Sequence, residues 1–391
     1  MRRQVILALS ALAVLASGCS EKEVPVSRSE PGTRSEGLAG PKGDTGPRGE
    51  PGPIGPPGSF ARIKVVSQGD TPLIGGENLR RALQSLTQAS AEQPLLIFLE
   101  PGVFDLGSEG LQLKPHVHLQ GSGQALTTVR SHAAEPTLVT ADHTELRLLT
   151  VEHEGGTEDA VALSNDSELF HAREVGALAR DGQRRTVAVR SSARQLTDEL
   201  AQLQALATST RGDTVGFSCE GCVIKLTNST FFGRGGERAV GVRVTQGAVE
   251  LWDSSATGHG GNKESFGVDA TGSQVNLVRA ELVATQSGTA AGMRLVSSPS
   301  SIRDSTLLSS SPPGRQARAL EVSGADSGAY VVDVQRSTLT GATQSVYGAR
   351  GYVIHIGGSQ LRGGAVGGEA LVSCQGSYDE DFNAPPPPAC P

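Results

Sequence analysis

The stretch LWDSSA at residues 251–256 is one copy of a short pattern that recurs along the C-terminal part of the chain. The copies are LTNSTF (226–231), LWDSSA (251–256), LVRAEL (277–282), IRDSTL (302–307), VQRSTL (334–339) and IGGSQL (356–361). Glycine-centred apolar triplets begin at Val215, Val240, Phe266 and Ala291, spaced by 25, 26 and 25 residues, with looser versions at Ala319-Leu320 and Gly348-Ala349. Repeats of this length with short strands indicate stacked coils that bury their apolar faces against one another.

The repeat predicts an all-β chain over residues 61–373. A period near 25 residues, with about three strands per turn, is typical of a right-handed parallel β-helix, in which strands of adjacent coils lie ~4.8 Å apart. Composition agrees, because aromatic residues make up only 4% of the chain and there is a single Trp. Such a composition suits a thin core of stacked Val, Ile, Leu and Ala better than a thick globular one.

Two aligned columns test this register. The first contains small residues that we expect to be buried at a corner: Ser229, Ser254, Ala280, Ser305, Ser337 and Ser359. The residues just before them are Asn228, Asp253, Arg279, Asp304, Arg336 and Gly358, and a further column contains Arg243, Asp269, Arg294, Glu321 and Arg350. The charges in these last two columns alternate in sign, which predicts ladders of ion pairs between neighbouring coils. Networks of this kind contribute more than isolated surface pairs.

The entrance to this region resembles the opening coil of the pectin-lyase-like superfamily. Residues 76–86 have helical apolar periodicity, and LLIFLEPGVFDLG (95–107) and GLQLKPHVHLQGSGQALTTVRS (110–131) follow as strands. The resemblance covers residues 75–365 and implies that the helix caps the N-terminal end of the solenoid. It implies nothing about a substrate. A second helix is predicted at residues 197–207 (TDELAQLQALA), with Thr197 as its N-cap, on a loop that protrudes from one coil.

Residues 1–18 are predicted to be a secretory signal peptide. Arg2 and Arg3 precede an apolar stretch at residues 5–15, and small residues lead to Cys19. The cysteine after Ser17-Gly18 resembles a bacterial lipobox, which implies lipid attachment at Cys19; the alternative is an ordinary signal peptide with an incidental cysteine. Residues 19–36 are predicted to be a disordered tether. We therefore expect an extracytoplasmic lipoprotein anchored to the bacterial cell envelope, at the outer membrane or cell surface.

Glycine occupies every third position from Gly37 to Gly58. These glycines are Gly37, Gly40, Gly43, Gly46, Gly49, Gly52, Gly55 and Gly58. Only glycine fits at the axis of a collagen triple helix, so residues 37–60 resemble the collagen-like stalks of bacterial surface proteins. Two interpretations stay open: a homotrimer joined through the stalk, or a monomeric polyproline-II spacer that would reach roughly 70 Å at ~3.1 Å per residue.

The remaining cysteines are predicted to be structural. Cys219 and Cys222 favour either a local disulfide or two buried thiols over a redox or zinc site, because no second pair lies at zinc spacing. Cys374 and Cys390 bracket the Pro-rich tail, residues 374–391. A disulfide between them would close the tail over the last coil and stabilise it by ~3 kcal/mol in the chain-entropy model.

No catalytic site is evident in the sequence. Gly258-His259-Gly260 resembles a motif of the polygalacturonase family, but that family's paired aspartates are absent from this chain. If the protein is an enzyme, the candidates are Asp253, His259 and Asp269. His116 and His118 alternate along one strand without an evident third ligand, so neither a metal nor a cofactor is predicted.

The net charge of −7, without a basic cluster, argues against a nucleic-acid partner. The predicted function is therefore a membrane-anchored surface protein whose β-helix is a structural module or binds glycan or extracellular matrix. The alternative is a polysaccharide lyase or glycoside hydrolase of the pectin-lyase-like type.

Overall fold

The computed structural model describes residues 62–155, 158–194, 199–285, 288–324, 330–386 and 388–391. The predictions for residues 1–18, 19–36 and 37–60, which include Cys19 and the stalk glycines, lie outside these residues. Within them, the chain forms one α-helix, α1 (Pro72–Ser85), and 32 β-strands. Every strand pairing is parallel, and each strand inside a ladder pairs with its equivalents in the coils before and after it.

Strands are numbered in chain order and form three ladders along the coil axis. The first ladder contains β1 (Arg62–Val66), β2 (Leu95–Leu99), β5 (Val117–Gln120), β14 (Val223–Thr227), β17 (Ala248–Trp252), β20 (Gln274–Val278), β23 (Ser300–Arg303), β26 (Tyr330–Gln335), β29 (Tyr352–Gly357) and β32 (Leu371–Gln375). The second contains β3 (Gly102–Asp105), β6 (Thr127–Ser131), β15 (Thr230–Gly235), β18 (Ser255–His259), β21 (Glu281–Thr285), β24 (Thr306–Ser310), β27 (Thr338–Gly341) and β30 (Gln360–Arg362). Three longer strands, β8 (Thr144–Glu154), β10 (Phe170–Arg180) and β12 (Glu199–Ser209), run across the corner and belong to both ladders.

The third ladder is a separate eleven-stranded sheet. Its strands are β4 (Leu111–Gln112), β7 (Leu138–Val139), β9 (Asp159–Asn165), β11 (Arg185–Ser191), β13 (Asp213–Glu220), β16 (Arg238–Thr245), β19 (Glu264–Thr271), β22 (Thr289–Val296), β25 (Gln316–Ser323), β28 (Gln344–Gly348) and β31 (Gly367–Gly368). The fold is thus a right-handed parallel β-helix, which confirms the predicted fold class. The predicted repeat register is also confirmed, since Val215, Val240, Phe266 and Ala291 are successive partners in this ladder.

Helix α1 packs at the N-terminal end of the solenoid, as the opening motif predicted. Thr71 is its N-cap, and the Thr71 hydroxyl accepts a hydrogen bond from the Ile74 amide at 3.3 Å. Leu79, Ala82 and Leu83 are buried on the side that faces the first coils. Helix α1 therefore covers the N-terminal end of the hydrophobic core, which would otherwise be exposed to solvent.

The predicted helix at residues 197–207 is wrong, because Glu199–Ser209 is strand β12. Leu200 and Leu203 are both buried, and their spacing of three residues imitated helical periodicity. The cause is Gln202, which lies between them at the coil corner with a φ of +55°. One left-handed residue shifts the alternation of a strand by one position, so both leucines point inward.

The small-residue column is buried as predicted, and it forms a chain of hydrogen bonds along the axis. The Ser305 hydroxyl accepts from the Ala280 amide at 3.0 Å, and the Ser337 hydroxyl accepts from the Ser305 amide at 3.1 Å. The same hydroxyls donate to the carbonyl oxygens two residues earlier, at 2.7 Å for Ser305 and 2.8 Å for Ser337. These serines satisfy backbone groups that the sharp corner leaves without a strand partner.

The disulfides of the structure join Cys219 to Cys222 and Cys374 to Cys390. The second one holds the tail against the last coil, where the Cys374 amide donates to the Pro388 carbonyl oxygen at 3.0 Å. No described helix has the length and apolar character that would let it span a membrane.

Candidate functional site

The three residues named as candidates from the sequence lie at separate positions around the coil. Asp253 occupies the exposed corner after β17, where both its carboxylate oxygens accept from Arg279 at 2.5 and 2.6 Å. His259 ends β18 on the second ladder, and its Nδ1 lies 2.7 Å from the Thr285 hydroxyl. Asp269 faces outward on the third ladder. The structure therefore does not bring these three side chains together in one site.

The corner column forms two of the predicted ion pairs, but no ion pair joins Arg279 to Asp304 to make the ladder continuous. Besides the Asp253–Arg279 pair, Arg336 donates to Asp304 at 2.7 and 2.9 Å. Hydrogen bonds from the arginines keep the pKa values of Asp253 and Asp304 below their ordinary values. These carboxylates are already engaged with a neighbouring coil, which makes them poor candidates for acid–base chemistry.

The outer face of the third ladder carries a buried network of charges. Arg243 Nη2 lies 3.1 Å from Asp213 Oδ2, and Arg243 Nε lies 4.0 Å from Asp269 Oδ2. Arg294 pairs with the other oxygen of Asp269 at 2.9 Å and reaches Glu264 at 3.4 Å. Burial alone would raise the pKa of Asp213, but hydrogen bonds from Arg238 and the charge of Arg243 outweigh burial and lower that pKa.

This network contains three carboxylates and three guanidinium groups, so its formal charges sum to zero. Its members are Asp213, Arg238, Arg243, Glu264, Asp269 and Arg294. The guanidinium of Arg294 also stacks on Phe266, with Cζ 3.9 Å from the ring centroid, and so covers an apolar row beneath it. The network therefore couples neighbouring coils of the third ladder, as the alternating signs predicted.

The prediction is wrong at the C-terminal end of this column. Glu321 pairs with Arg318 of its own strand at 3.2 Å, and Arg350 pairs with Glu369 at 3.3 Å. The partner of Glu321 in the next coil is Tyr347, so Arg350 lies three positions too late to continue the ladder. The looser repeat spacing in this region concealed that shift.

A cleft of about 570 Å³ opens on the outer face of the first ladder, and sequence reasoning missed it. Its polar lining includes Glu145, His171, Arg173, Gln202 and Asn228. Glu145 and His171 are direct strand partners in neighbouring coils. Their side chains are exposed or half-buried, so the cleft presents a carboxylate, an imidazole and a guanidinium to solvent.

Hydrogen bonds hold the cations at the edge of this cleft. Arg147 lies 3.6 Å from Glu145 and donates to Gln120 at 2.7 Å. Arg173 donates to Gln202 at 3.2 Å. Guanidinium groups tethered in this way are suited to binding carboxylate or hydroxyl groups, because their planar heads are held in a fixed orientation.

His118 belongs to the same outward row, one coil before Glu145. Leu119 and Leu146 are strand partners, so the residues just before them, His118 and Glu145, occupy equivalent positions in neighbouring coils. Burial lowers the pKa of His118 below its ordinary value, although Glu145 acts in the opposite direction. Burial therefore favours the neutral form of this imidazole. His116, by contrast, lies before strand β5 and stacks on His143, with ring centroids 4.6 Å apart.

A second cleft of about 350 Å³ lies further along the same face. Glu250, Trp252, Asn276 and Arg303 contribute to its lining. Lys225 Nζ lies 5.0 Å from the ring centroid of Trp252, and the Trp252 indole N–H donates to Glu250 at 3.2 Å. The only tryptophan of the chain is thus half-exposed on this face, beside a cation and several hydrogen-bonding groups.

Both clefts lie along one row of outward-facing residues on the first ladder, which we call the polar row. Its members with described side chains are His118, Glu145, His171, Lys225, Glu250, Asn276, Ser301, Asp333, His355 and Ser373. The sequence alignment started at residue 215 and therefore omitted three of the four coils that line the first cleft. Within the described residues, no three His, Cys, Asp or Glu side chains are grouped so as to hold a metal ion.

Stability should decrease in mild acid, since burial also lowers the pKa of His153. His153 is fully buried, and its Nδ1 lies 3.0 Å from the Thr137 hydroxyl. Between the lowered pKa values of His118 and His153 and their ordinary value of 6.5, the unfolded chain binds more protons than the folded chain. Stability is therefore complete above that window and is lost as the pH falls through it.

Urea unfolding at about pH 7.5 and about pH 5 measures this effect, with an expected loss of up to ~1.4 kcal/mol per pH unit per histidine. His153→Gln should make the loss smaller, because glutamine does not titrate. A wild-type free energy of unfolding that is equal at both pH values would contradict the assignment.

No protein-family model matches the chain, and no curated protein matches it. Among solved structures, the A-module of the mannuronan C-5 epimerase AlgE6 from Azotobacter vinelandii has 11% identity and a TM-score of 0.47, over 78% of this chain and 86% of that chain. A mannuronic acid-specific polysaccharide family 6 lyase from human gut microbiota has 10% identity and a TM-score of 0.43, over 79% and 83%. Gene product 12 of bacteriophage phi29 has 11% identity and a TM-score of 0.39, over 80% and 51%. The similarity extends to the fold alone.

Proposed function

We propose that the protein binds a linear polysaccharide along the polar row and displays this β-helix at the bacterial cell envelope. The observation that carries the proposal is the continuity of the row, which places a polar side chain at the same outward position in coil after coil. Successive side chains are ~4.8 Å apart along the axis, close to the length of one sugar ring. An extended polymer can therefore meet an equivalent contact at each sugar unit.

The chemistry of the row supports a sugar ligand. Carboxylate, imidazole, ammonium and amide groups alternate along it, and all of them form hydrogen bonds with hydroxyl or carboxylate groups. The first cleft adds Arg173, whose guanidinium is suited to a sugar carboxylate, and the second adds the apolar surface of Trp252. Display at the envelope rests on the sequence pattern of residues 1–36.

A second candidate function, cleavage of the same polymer by β-elimination, is favoured by the first cleft. His118, one coil before Glu145 on the polar row, is the base that would take the proton next to a uronate carboxylate, and Arg147 or Arg173 would neutralise the negative charge that develops there. The glycosidic oxygen would then leave and take up a proton, with a carbon–carbon double bond formed in the sugar. Hydrolysis is less favoured, because Glu145 is the one carboxylate among the described side chains that line this cleft.

The double substitution His171→Ala/Arg173→Ala tests the binding site. Both side chains are exposed, so the fold should be retained, while loss of two charged or polar contacts should weaken binding roughly tenfold to hundredfold. Titration calorimetry against polygalacturonate, alginate and a neutral glucan measures the dissociation constant. The matched control is His259→Ala/Lys263→Ala, which removes the same types of side chain away from the first ladder.

The chain lengths of the three polymers after incubation separate binding from cleavage. Shortening by the wild type that His118→Ala abolishes would establish the second candidate. Equal affinity of the wild type and His171→Ala/Arg173→Ala, with no shortening, would contradict both.

A further inference from the structure

The outward-facing side chains of the first ladder are apolar, not polar, at its N-terminal end. In strand β1, Ile63 and Val65 point outward, and the two residues are 61% and 57% exposed. Their partners in β2 are Leu96 and Phe98, so the first two coils carry apolar outward pairs. In the next coil the corresponding partners are His118 and Gln120, where the polar row begins.

Strand β1 is also the first strand of the ladder, and helix α1 is in contact with it. Among the described residues it pairs with β2 alone, so the backbone groups along its other side lack a strand partner. An exposed edge strand with apolar side chains is a template for association, and proteins normally protect such edges. Arg62 and Lys64 lie on the alternate positions of β1 and do not cover Ile63 or Val65.

The chain that precedes β1 indicates what covers this face. The Gly-X-Y repeat ends at Phe60, and a single residue, Ala61, separates it from Arg62. A triple helix brings three copies of one chain to a common end. Three β1 strands would consequently be held within a few residues of one another, each with Ile63 and Val65 exposed.

We infer that the face formed by Ile63, Val65 and Phe98 is a contact between copies of this chain, in a homotrimer whose three chains are joined through residues 37–60. Contact between the copies removes these apolar side chains from water, which is favourable. The face would therefore contribute association free energy in addition to that of the short Gly-X-Y repeat. This inference concerns assembly, and it does not depend on which ligand the polar row binds.

Sedimentation equilibrium of residues 20–391 tests it over a range of protein concentrations. The wild type is expected to be a trimer, and Ile63→Ser/Val65→Ser is expected to raise the concentration at which the trimer dissociates roughly 100-fold or more. The matched control is Leu371→Ser in β32, which removes a 73% exposed apolar side chain from the opposite end of the ladder and should leave dissociation unchanged. Thermal unfolding midpoints check that each variant is folded.

Two results would overturn the inference. A wild type that stays monomeric at all concentrations would show that neither the stalk nor the face associates. A trimer that dissociates at the same concentration in the wild type and in Ile63→Ser/Val65→Ser, but is lost in Gly46→Ser/Gly49→Ser, would show that the stalk acts alone.

Discussion

Replacing Arg243 with methionine is expected to lower the free energy of unfolding by about 3–5 kcal/mol. The Arg243 side chain is only 16% exposed and lies between Asp213 and Asp269, of which Asp269 is 7% exposed. Methionine fills most of the volume but leaves two largely buried carboxylates without the cation between them. Arg238 still pairs with Asp213 and Arg294 still pairs with Asp269, but one negative charge of the buried network is then left without a compensating cation, and that costs more than the intact network contributes.

The matched control is Arg279→Met in the corner column. Arg279 donates to Asp253 at 2.5 and 2.6 Å, closer than the ion-pair distances of Arg243, but Arg279 and Asp253 are both exposed to water. Water replaces a lost exposed partner, so the unfolding midpoint of Arg279→Met should stay close to that of the wild type. Urea unfolding of both variants measures the difference. Equal losses would show that burial does not determine the strength of these ladders.

Gly241→Ala is expected to lower the free energy of unfolding by ~3 kcal/mol or more, or to prevent folding. A Cβ atom at Gly241 would meet the backbone nitrogen of Thr257 in the second ladder and lie 2.7 Å from the carbonyl oxygen of Gly267. These are backbone atoms, which cannot rotate out of the way as a side chain can. The third and second ladders approach so closely here that only glycine fits between them, which explains the glycine at the centre of the repeated triplets.

Gly357→Ala is the control for this substitution. Gly357 also lies in a β-strand, but an added Cβ would approach no atom closer than 4.0 Å. Its stability should therefore be equal to that of the wild type or slightly greater, because alanine restricts the unfolded chain. Yield of soluble protein and urea unfolding compare the two variants. A stable, fully folded Gly241→Ala protein would contradict the close approach of the two ladders.

The fold was predictable because a solenoid repeats one short structural unit, the coil, many times along the chain. The triplets at Val215, Val240, Phe266 and Ala291 set the period, and their register in the structure is the predicted one. The serine column and the ion pairs Asp253–Arg279 and Asp304–Arg336 followed from the same alignment. Each additional coil had to fit the same alignment, so an error in the register would have been visible in several places. These features were therefore easier to predict than a single long-range contact.

The site was not predictable in the same way, because it depends on coils that do not match the repeat. Glu145 and His171 lie in β8 and β10, which are longer than the strands of later coils and turn the corner within one strand. Their left-handed corner residues are Leu148 and Glu174, with φ of +56° and +55°. Neither residue type signals a corner, so the alternation could not be followed across it. The misassigned helix at residues 197–207 has the same cause at Gln202.

Affinity electrophoresis of residues 20–391 through gels that contain single polysaccharides is the most direct test of the central claim. A panel of acidic and neutral linear polymers would be compared with branched polymers of the same sugars, for the wild type and for His171→Ala/Arg173→Ala. The account predicts that at least one linear polymer retards the wild type, and that the double substitution reduces this retardation. Unchanged mobility of the wild type in every gel, or equal retardation of both proteins, would contradict it.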